Sequence, residues 1–335
     1  MKKPVLSRLR QPGRGHSARA TAGVILAGLV LVLAACSSGG KTVTSGAPVA
    51  GATSSGATTA ASSASSSAST APAKPVHVSL NLGDGGQVGV GMPIIATFKT
   101  KITSGVAFQQ ATKVTVNGAA VPAAWYFEYS DPASGHVMEA HLRTQNYWPG
   151  HAHIHVDLPV KGLSAGKGLA FDDSLTLDFS TGSQNIATVD DVAHTLTLRV
   201  DGALEGTYPI SLGASNTPTL SGTKVIMEKG VSICMSGPGY DECGIKYTQR
   251  LTYGGEYLHS APWNVYNITH GVDSSNGCTN LLPNDAQKLY GLLEIGDVVI
   301  YPNANGGKMQ LGQGYGDWNV PWSQWQTGGA VSTTT

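Results

Sequence analysis

The stretch from residue 37 to residue 75 is built almost wholly of Ser, Ala, Thr and Gly and closes on Pro72 and Pro75. Such a composition buries too little apolar surface to offset the entropy of ordering it, so the segment reads as a disordered tether. It divides the 335 residues into a short leader and a C-terminal part that must hold any hydrophobic core. As a flexible coil the tether spans on the order of 35 Å. Fully extended it reaches about 130 Å.

Ahead of the tether, residues 1–35 have the pattern of an export signal. Lys2, Lys3, Arg8, Arg10, Arg14 and Arg19 form a positive n-region, and Val24–Leu33 is a run of ten apolar residues. That run is too short for a bilayer, which needs about 20. It ends in Leu33-Ala34-Ala35-Cys36, which resembles the bacterial lipobox, in which the Cys is lipidated. The alternative is an ordinary signal peptide with an incidental Cys. The lipobox reading places the protein outside the cytoplasm, anchored to the outer face of the membrane through Cys36 and reaching into the cell wall. No later segment is apolar enough to cross a membrane, so the acyl chains would be its sole attachment.

Of the 21 basic and 21 acidic residues, the leader takes six basic and no acidic ones, leaving 15 against 21, a formal net charge of −6. A net negative exported protein without a basic patch is a poor nucleic-acid binder. Three cysteines remain beyond Cys36. Cys234 and Cys243 flank Gly237-Pro238-Gly239, a turn that brings them together, and a disulfide is expected there. On a chain-entropy account a loop of this size is worth at most roughly 2.5–3 kcal/mol. Cys278 is then the odd thiol.

The fold class expected is mainly β. From residue 76 to 182, Val76–Leu80, Ile94–Phe98, Val114–Val116 and Leu175–Phe179 are strand-like, punctuated by Asp84-Gly85-Gly86, Asn117-Gly118 and Trp148-Pro149-Gly150. Short strands at this spacing suggest an immunoglobulin-like sandwich. A second β-rich domain is expected over 183–327. Leu196, Leu198 and Val200 point one way along a strand, and Asp201-Gly202 is a two-residue hairpin turn. The main helix starts at Pro283, with Ala286, Leu289, Leu292 and Leu293 as its buried stripe, before Gly296-Asp297 turns into strand Val298–Tyr301. Residues 328–335 read as a disordered tail.

His259-Ser260-Ala261-Pro262-Trp263, followed by Ser275-Asn276-Gly277-Cys278-Thr279-Asn280, resembles the signature of L,D-transpeptidase (YkuD-type) catalytic domains, in which a His lies upstream of a Ser/Thr-His-Gly-Cys-x-Asn/Arg motif. Here the His–Cys interval is 19 residues. The Pro283–Asp297 segment and the closing Gly316-Asp317-Trp318-Asn319-Val320-Pro321-Trp322-Ser323-Gln324-Trp325 resemble the actinobacterial branch. The likeness is strong over about 183–325 and weaker over 76–181, where it matches the preceding immunoglobulin-like domain.

The chemistry fits the residue types. A thiol is a strong nucleophile only as thiolate, and a nearby imidazole is the usual proton acceptor. The N–H groups around Gly277 and Cys278 would serve as an oxyanion hole, where one donor is typically worth about 3 kcal/mol. An inert buried thiol, the ordinary state of a free Cys, is the competing reading of Cys278.

The resemblance implies a Cys278, His259, Ser260 triad, with the Ser260 backbone carbonyl orienting the imidazole. It implies peptidoglycan stem peptides as partners: a tetrapeptide donor attacked at the carbonyl between its third and fourth residues, and a diamino-acid acceptor that yields a 3→3 cross-link. It implies inhibition by carbapenems and chemistry without metal or organic cofactor. Met227 and Tyr240 would belong to a lid over the cleft, stiffened by the Cys234–Cys243 disulfide, and Asn280 would support the nucleophile loop.

One position departs from the pattern: Asn276 replaces the motif's own His and cannot titrate. His270, eight residues before Cys278, is either its replacement or an exposed loop residue. A wall-binding scaffold with a decayed site, or an L,D-carboxypeptidase using water as acceptor, are the competing functions. Trp318, Trp322 and Trp325 read as packing for the C-terminal segment rather than a glycan platform. His151, His153 and His155 alternate as a metal-binding strand would, but without an evident carboxylate or Cys partner they read as a solvated polar face.

Overall fold

The structure, a computed structural model, describes residues 72–130, 134–237 and 240–335. The expected leader, Cys36 and nearly all of the tether lie outside the described residues, as does the side chain of Tyr240. Among the described residues no helix is long and apolar enough to cross a membrane.

The first domain is a β-sandwich. One face is a four-stranded sheet ordered Val78–Leu80, Ile94–Phe98, Met138–Arg143, Ala124–Tyr129; the other is five-stranded, Gly86–Val88, Leu175–Thr181, His153–Leu158, Lys113–Val116, Ala119–Ala120. Their inward residues, among them Phe98, Trp125, Phe127 and Phe179, form one core with Phe108 of the short helix Val106–Ala111 and Trp148 of the loop before His153–Leu158. The strand expected at Val76–Leu80 is two. Val76 pairs in parallel with Phe171 in a small third sheet, whereas Val78 pairs with Phe98. The chain changes sheets at His77.

Hairpin turns follow their sequence cues. Asn117 and Gly118 have φ of 50° and 80°, and Asp201 and Gly202 have 49° and 81°. Two consecutive positive φ values give the type I′ turn whose twist matches the flanking strands.

The second domain is a nine-stranded sheet, ordered Gly222–Val225, Val298–Tyr301, Asn185–Asp190, Thr195–Val200, Ala203–Ser211, Thr279–Leu281, Tyr257–Ser260, Tyr240–Arg250, Glu228–Gly237. The last two strands form the longest hairpin among the described residues, here called the flap. Helix Pro283–Leu292 opens on its proline and packs on the strands Tyr240–Arg250 and Tyr257–Ser260. Ala286, Leu289 and Leu293 are buried as expected, but Leu292 is 36% exposed and lies off the stripe.

Two expectations about the C-terminus are corrected. Residues 328–335 are not a loose tail. Ala330 N–H donates to the Phe127 carbonyl, Gly105 N–H to that of Ser332, and Val331 joins the sandwich core. The final segment also leaves the second domain and docks on the first. Trp325 is fully buried, donates Nε1–H to the Ala124 carbonyl at 2.8 Å and stacks on Tyr126. The Arg143 guanidinium lies over the rings of Trp318, Trp322 and Trp325 at 4.9, 5.3 and 4.3 Å. The three tryptophans thus join the domains through one cation. A further tie forms where Gly89 and Gly91 donate their N–H groups to the carbonyls of Ile295 and Gly296, both at 2.8 Å. A Cβ on Gly89 would stand 2.1 Å from the Asp297 backbone nitrogen, so only glycine fits.

Candidate active site

Two parallel strands bring the expected pair together. Tyr257–Ser260 runs beside Thr279–Leu281 in the register Leu258↔Thr279, His259↔Asn280, Ser260↔Leu281. Residues in register share a face, so His259 and Asn280 project together. By strand geometry Cys278, two positions earlier, has its Cα about 8 Å from that of His259, a span that two side chains bridge. His259, Asn276, Cys278 and Asn280 line one cavity of about 530 Å³, closed on the flap side by Met235, Glu242 and Ile245 and on the other by Trp263, Asn264 and Asn267. A second cavity, of about 500 Å³, lies against Cys234–Gly237, Arg250 and residues 253–255. Met235 and Asn276 border both.

His259 is 4% exposed, and its Nδ1 lies 3.0 Å from the Ser260 carbonyl, which only accepts, so Nδ1 carries the proton and Nε2 keeps its lone pair. Burial holds the imidazole below its ordinary pKa against the opposing pull of that carbonyl. The Trp263 ring stacks beside it, centroids 6.0 Å apart. The result is a neutral, oriented proton acceptor.

Cys278 is buried and its Sγ–H points at the Gly255 carbonyl, 3.5 Å away. Burial pushes the thiol up to about 12; the Tyr257 N–H and the Lys224 ammonium draw it down, and the Glu256 carboxylate adds to the rise. The resting side chain is therefore a neutral thiol. A neutral thiol of this kind can attack a carbonyl only if a base takes its proton in the same event, rather than from a standing thiolate–imidazolium pair.

The nucleophile loop is held from below. Gly277 has φ +99°, a conformation that disfavours any side chain, although the space around it would admit a Cβ. Its carbonyl accepts from Thr219 Oγ1 at 3.0 Å and its N–H donates to Ser275 Oγ at 3.1 Å, while Ser275 Oγ–H donates to the Cys278 carbonyl at 2.6 Å. The expectation that the Gly277 amide serves an oxyanion hole is thereby corrected: that donor is already engaged inside the loop. Asn280 does not brace the loop as expected either. It is 3% exposed, and its Oδ1 has no hydrogen-bond partner among the described residues although the side chain borders the cavity.

Beneath the thiol lies a buried ion pair that sequence reasoning missed. Lys224 is wholly buried, is bonded to Glu256 through Nζ and Oε2, and sits 3.8 Å over the Tyr301 ring. Glu256 Oε1 accepts from the Leu220 N–H at 2.8 Å. In sequence Lys224 is one polar residue in a strand and carries no cue to its partner.

Residues 184–300 match the L,D-transpeptidase catalytic domain (YkuD), and residues 44–164 match a bacterial Ig domain. The second domain is an L,D-transpeptidase catalytic domain. The chain is 31% identical over 270 residues to L,D-transpeptidase 2 of Mycobacterium tuberculosis, covering 77% of this chain and 64% of that relative. It is 28% identical to L,D-transpeptidase 5 of the same organism over 77% of this chain, and spans 57% of that relative's length. Against solved structures, an LD transpeptidase in complex with imipenem aligns at TM-score 0.55 and 28% identity, over 68% of this chain and 99% of the other. L,D-transpeptidase 3 of M. tuberculosis with a faropenem-derived adduct aligns at 0.54 and 26%, over 68% and 98%.

Within the L,D-transpeptidase domain the remaining expected residues fall as follows. Cys234 and Cys243 are joined as a disulfide between facing positions of the flap strands. Met227 stands before the flap, its thioether sulfur packed toward Gly314, and borders neither cavity. His270 ends the short helix Val265–His270, exposed, stacked on Tyr266 with ring centroids 4.1 Å apart, and does not border the catalytic cavity. Asn276 is exposed at the junction of the two cavities, so the position of the missing motif His is filled by Asn276 alone. In the first domain His151 precedes the strand with φ 54° and pairs with Asp201, while His153 and His155 both face Asp178 across the sheet at 3.4 and 3.0 Å. The carboxylate partner not evident in sequence is this cross-strand aspartate.

Proposed function

We propose that the chain is a peptidoglycan L,D-transpeptidase that forms 3→3 cross-links through an acyl-enzyme on Cys278. The observation that carries this reading is that a buried thiol and a neutral imidazole, its Nδ1 committed to the Ser260 carbonyl, line one cavity. Cys278 Sγ attacks the carbonyl between residues three and four of a tetrapeptide stem as its proton passes to His259 Nε2. The tetrahedral intermediate collapses, and D-Ala leaves with the proton returned by His259. The side-chain amine of a neighbouring diamino-acid residue then attacks the thioester, giving up a proton to His259 and freeing the thiol. Glu242, the carboxylate on the cavity wall, suits a cationic acceptor. Carbapenems acylate the same sulfur in this reading, and lipidated Cys36 with its tether holds the folded domains in the wall.

Asn276 and the raised thiol pKa favour a second reading, a wall-binding scaffold whose chemistry has decayed. Incubation with a purified tetrapeptide muropeptide, followed by mass spectrometry, separates the possibilities. Cross-linked dimer supports the transpeptidase, tripeptide with free D-Ala and no dimer indicates an L,D-carboxypeptidase, and unchanged substrate leaves the scaffold.

A further inference from the structure

Three side chains that the cysteine chemistry does not use converge on the first domain. Glu128 lies on strand Ala124–Tyr129, and Glu139 and His141 on Met138–Arg143. The antiparallel register sets Glu128 directly opposite Glu139, with His141 two positions on, so all three leave the same face. Like charges placed directly opposite destabilise a sheet unless something compensates them. Arg143 does not do so, being spent on the three tryptophans and on the Val320 carbonyl at 2.7 Å, which leaves the His141 imidazole as the group that faces both carboxylates.

His141 is arranged as a ligand rather than as a core residue. It is 2% exposed, and its Nδ1 donates to Oδ1 of the fully buried Asp317 at 2.7 Å. That bond turns Nε2 toward the two glutamates, the carboxylate–histidine arrangement that commonly backs a metal ligand, and a cation bound there would take the place of the proton that the surrounding carboxylates hold on the ring. Nε2 lies 3.4 Å from Glu128 Oε1 and 3.9 Å from Glu139 Oε1, and neither Nε2 nor Glu128 Oε1 has a hydrogen-bond partner among the described residues. One donor atom from each of the three lies within 4.8 Å of the others. Zinc–ligand bonds of about 2.0–2.1 Å in a tetrahedron require edges of roughly 3.3–3.5 Å; the Glu128 edge at 3.4 Å meets this, and the Glu139 edge at 3.9 Å would close by a few tenths of an ångström on binding. His136 Nε2, 3.1 Å from the other oxygen of Glu139, orients that carboxylate. The glutamate side chains keep 15% and 16% exposure, so a water from solvent could complete the coordination.

We propose that Glu128, Glu139 and His141 form a structural site for a divalent transition-metal cation of the zinc class, backed by Asp317. Two carboxylates would balance the dication. Because Asp317 opens the segment Asp317–Asn319 that runs on to the tryptophans, the bound cation would fasten the end of the catalytic domain to the sandwich. A second group, Asp191, His194 and Asp273, makes a weaker case, since all three are half-buried and Asp273 already accepts from the Leu212 N–H.

The test is zinc titration of the full chain, stripped with chelator, against a competing chromophoric chelator. Expected are one equivalent bound and a raised Tm, with affinity at least tenfold weaker in Glu128→Gln and in Glu139→Gln and unchanged in Asp191→Asn. Asp317→Asn should weaken binding by about 10–100-fold. Co²⁺ loaded into wild type, which depends on no variant folding, should show the intense visible bands of a four-coordinate site. Failure to compete with the chelator, or affinity unaltered by either Glu→Gln change, overturns the proposal.

Discussion

Replacing Lys224 by Met tests the ion pair beneath the nucleophile. Lys224 is wholly buried and Glu256 is 8% exposed, so the change strands a carboxylate whose other oxygen holds only the Leu220 N–H. Breaking a buried pair from one side costs about 3–5 kcal/mol. At about 2–4 °C per kcal/mol for a protein of this size, Tm should fall by roughly 6–20 °C. Removing both charges is a different perturbation. In Lys224→Met/Glu256→Gln the amide oxygen still accepts from Leu220, no charge is buried alone, and more than half of the lost stability should return. Thermal unfolding of wild type, both single variants and the double variant completes the cycle. A Lys224→Met variant within 1 kcal/mol of wild type, or a double variant no better than the single, would refute the reasoning.

Three further outcomes follow from the site. Because burial lowers the His259 pKa and raises that of Cys278 to about 12, the base stays neutral as pH falls through 6.5; acylation rate against pH should keep its acid limb below the ordinary imidazole value and show no rise near pH 8.5. Gly277→Ala forces a side chain into φ +99° at a cost of roughly 1–2 kcal/mol, and misplacing Cys278 should slow acylation by about 10–100-fold, read by stopped-flow with a chromogenic β-lactam. Cys234→Ser/Cys243→Ser should loosen the flap by at most about 2.5–3 kcal/mol, seen as faster hydrogen exchange confined to residues 228–250, with the sandwich core unaffected.

What could be read in the sequence was local. The two I′ turns, the proline-started helix, the facing cysteines and the His259-to-Cys278 interval are all carried by residues near one another in the chain. Strand register then did the rest, since parallel pairing of 257–260 with 279–281 is what aligns the imidazole and the thiol. The missed features are long-range. Lys224 and Glu256 lie 32 positions apart, and His141 and Asp317 lie 176 apart. The tail at 328–335 reads as disordered because it is small and polar, yet Val331 and a backbone ladder to Phe127 seat it on the sandwich. Likewise nothing in Ser275-Asn276-Gly277-Cys278 reveals that Ser275 takes the Gly277 amide for itself.

The central claim is that the sulfur of Cys278 is the acyl acceptor and His259 its base. Intact-mass analysis after incubation with imipenem measures this directly. Wild type should gain the mass of one inhibitor molecule, His259→Ala should acylate far more slowly, and Cys278→Ala should stay unmodified. Wild-type protein without an adduct, or an adduct that persists in Cys278→Ala, would contradict the account.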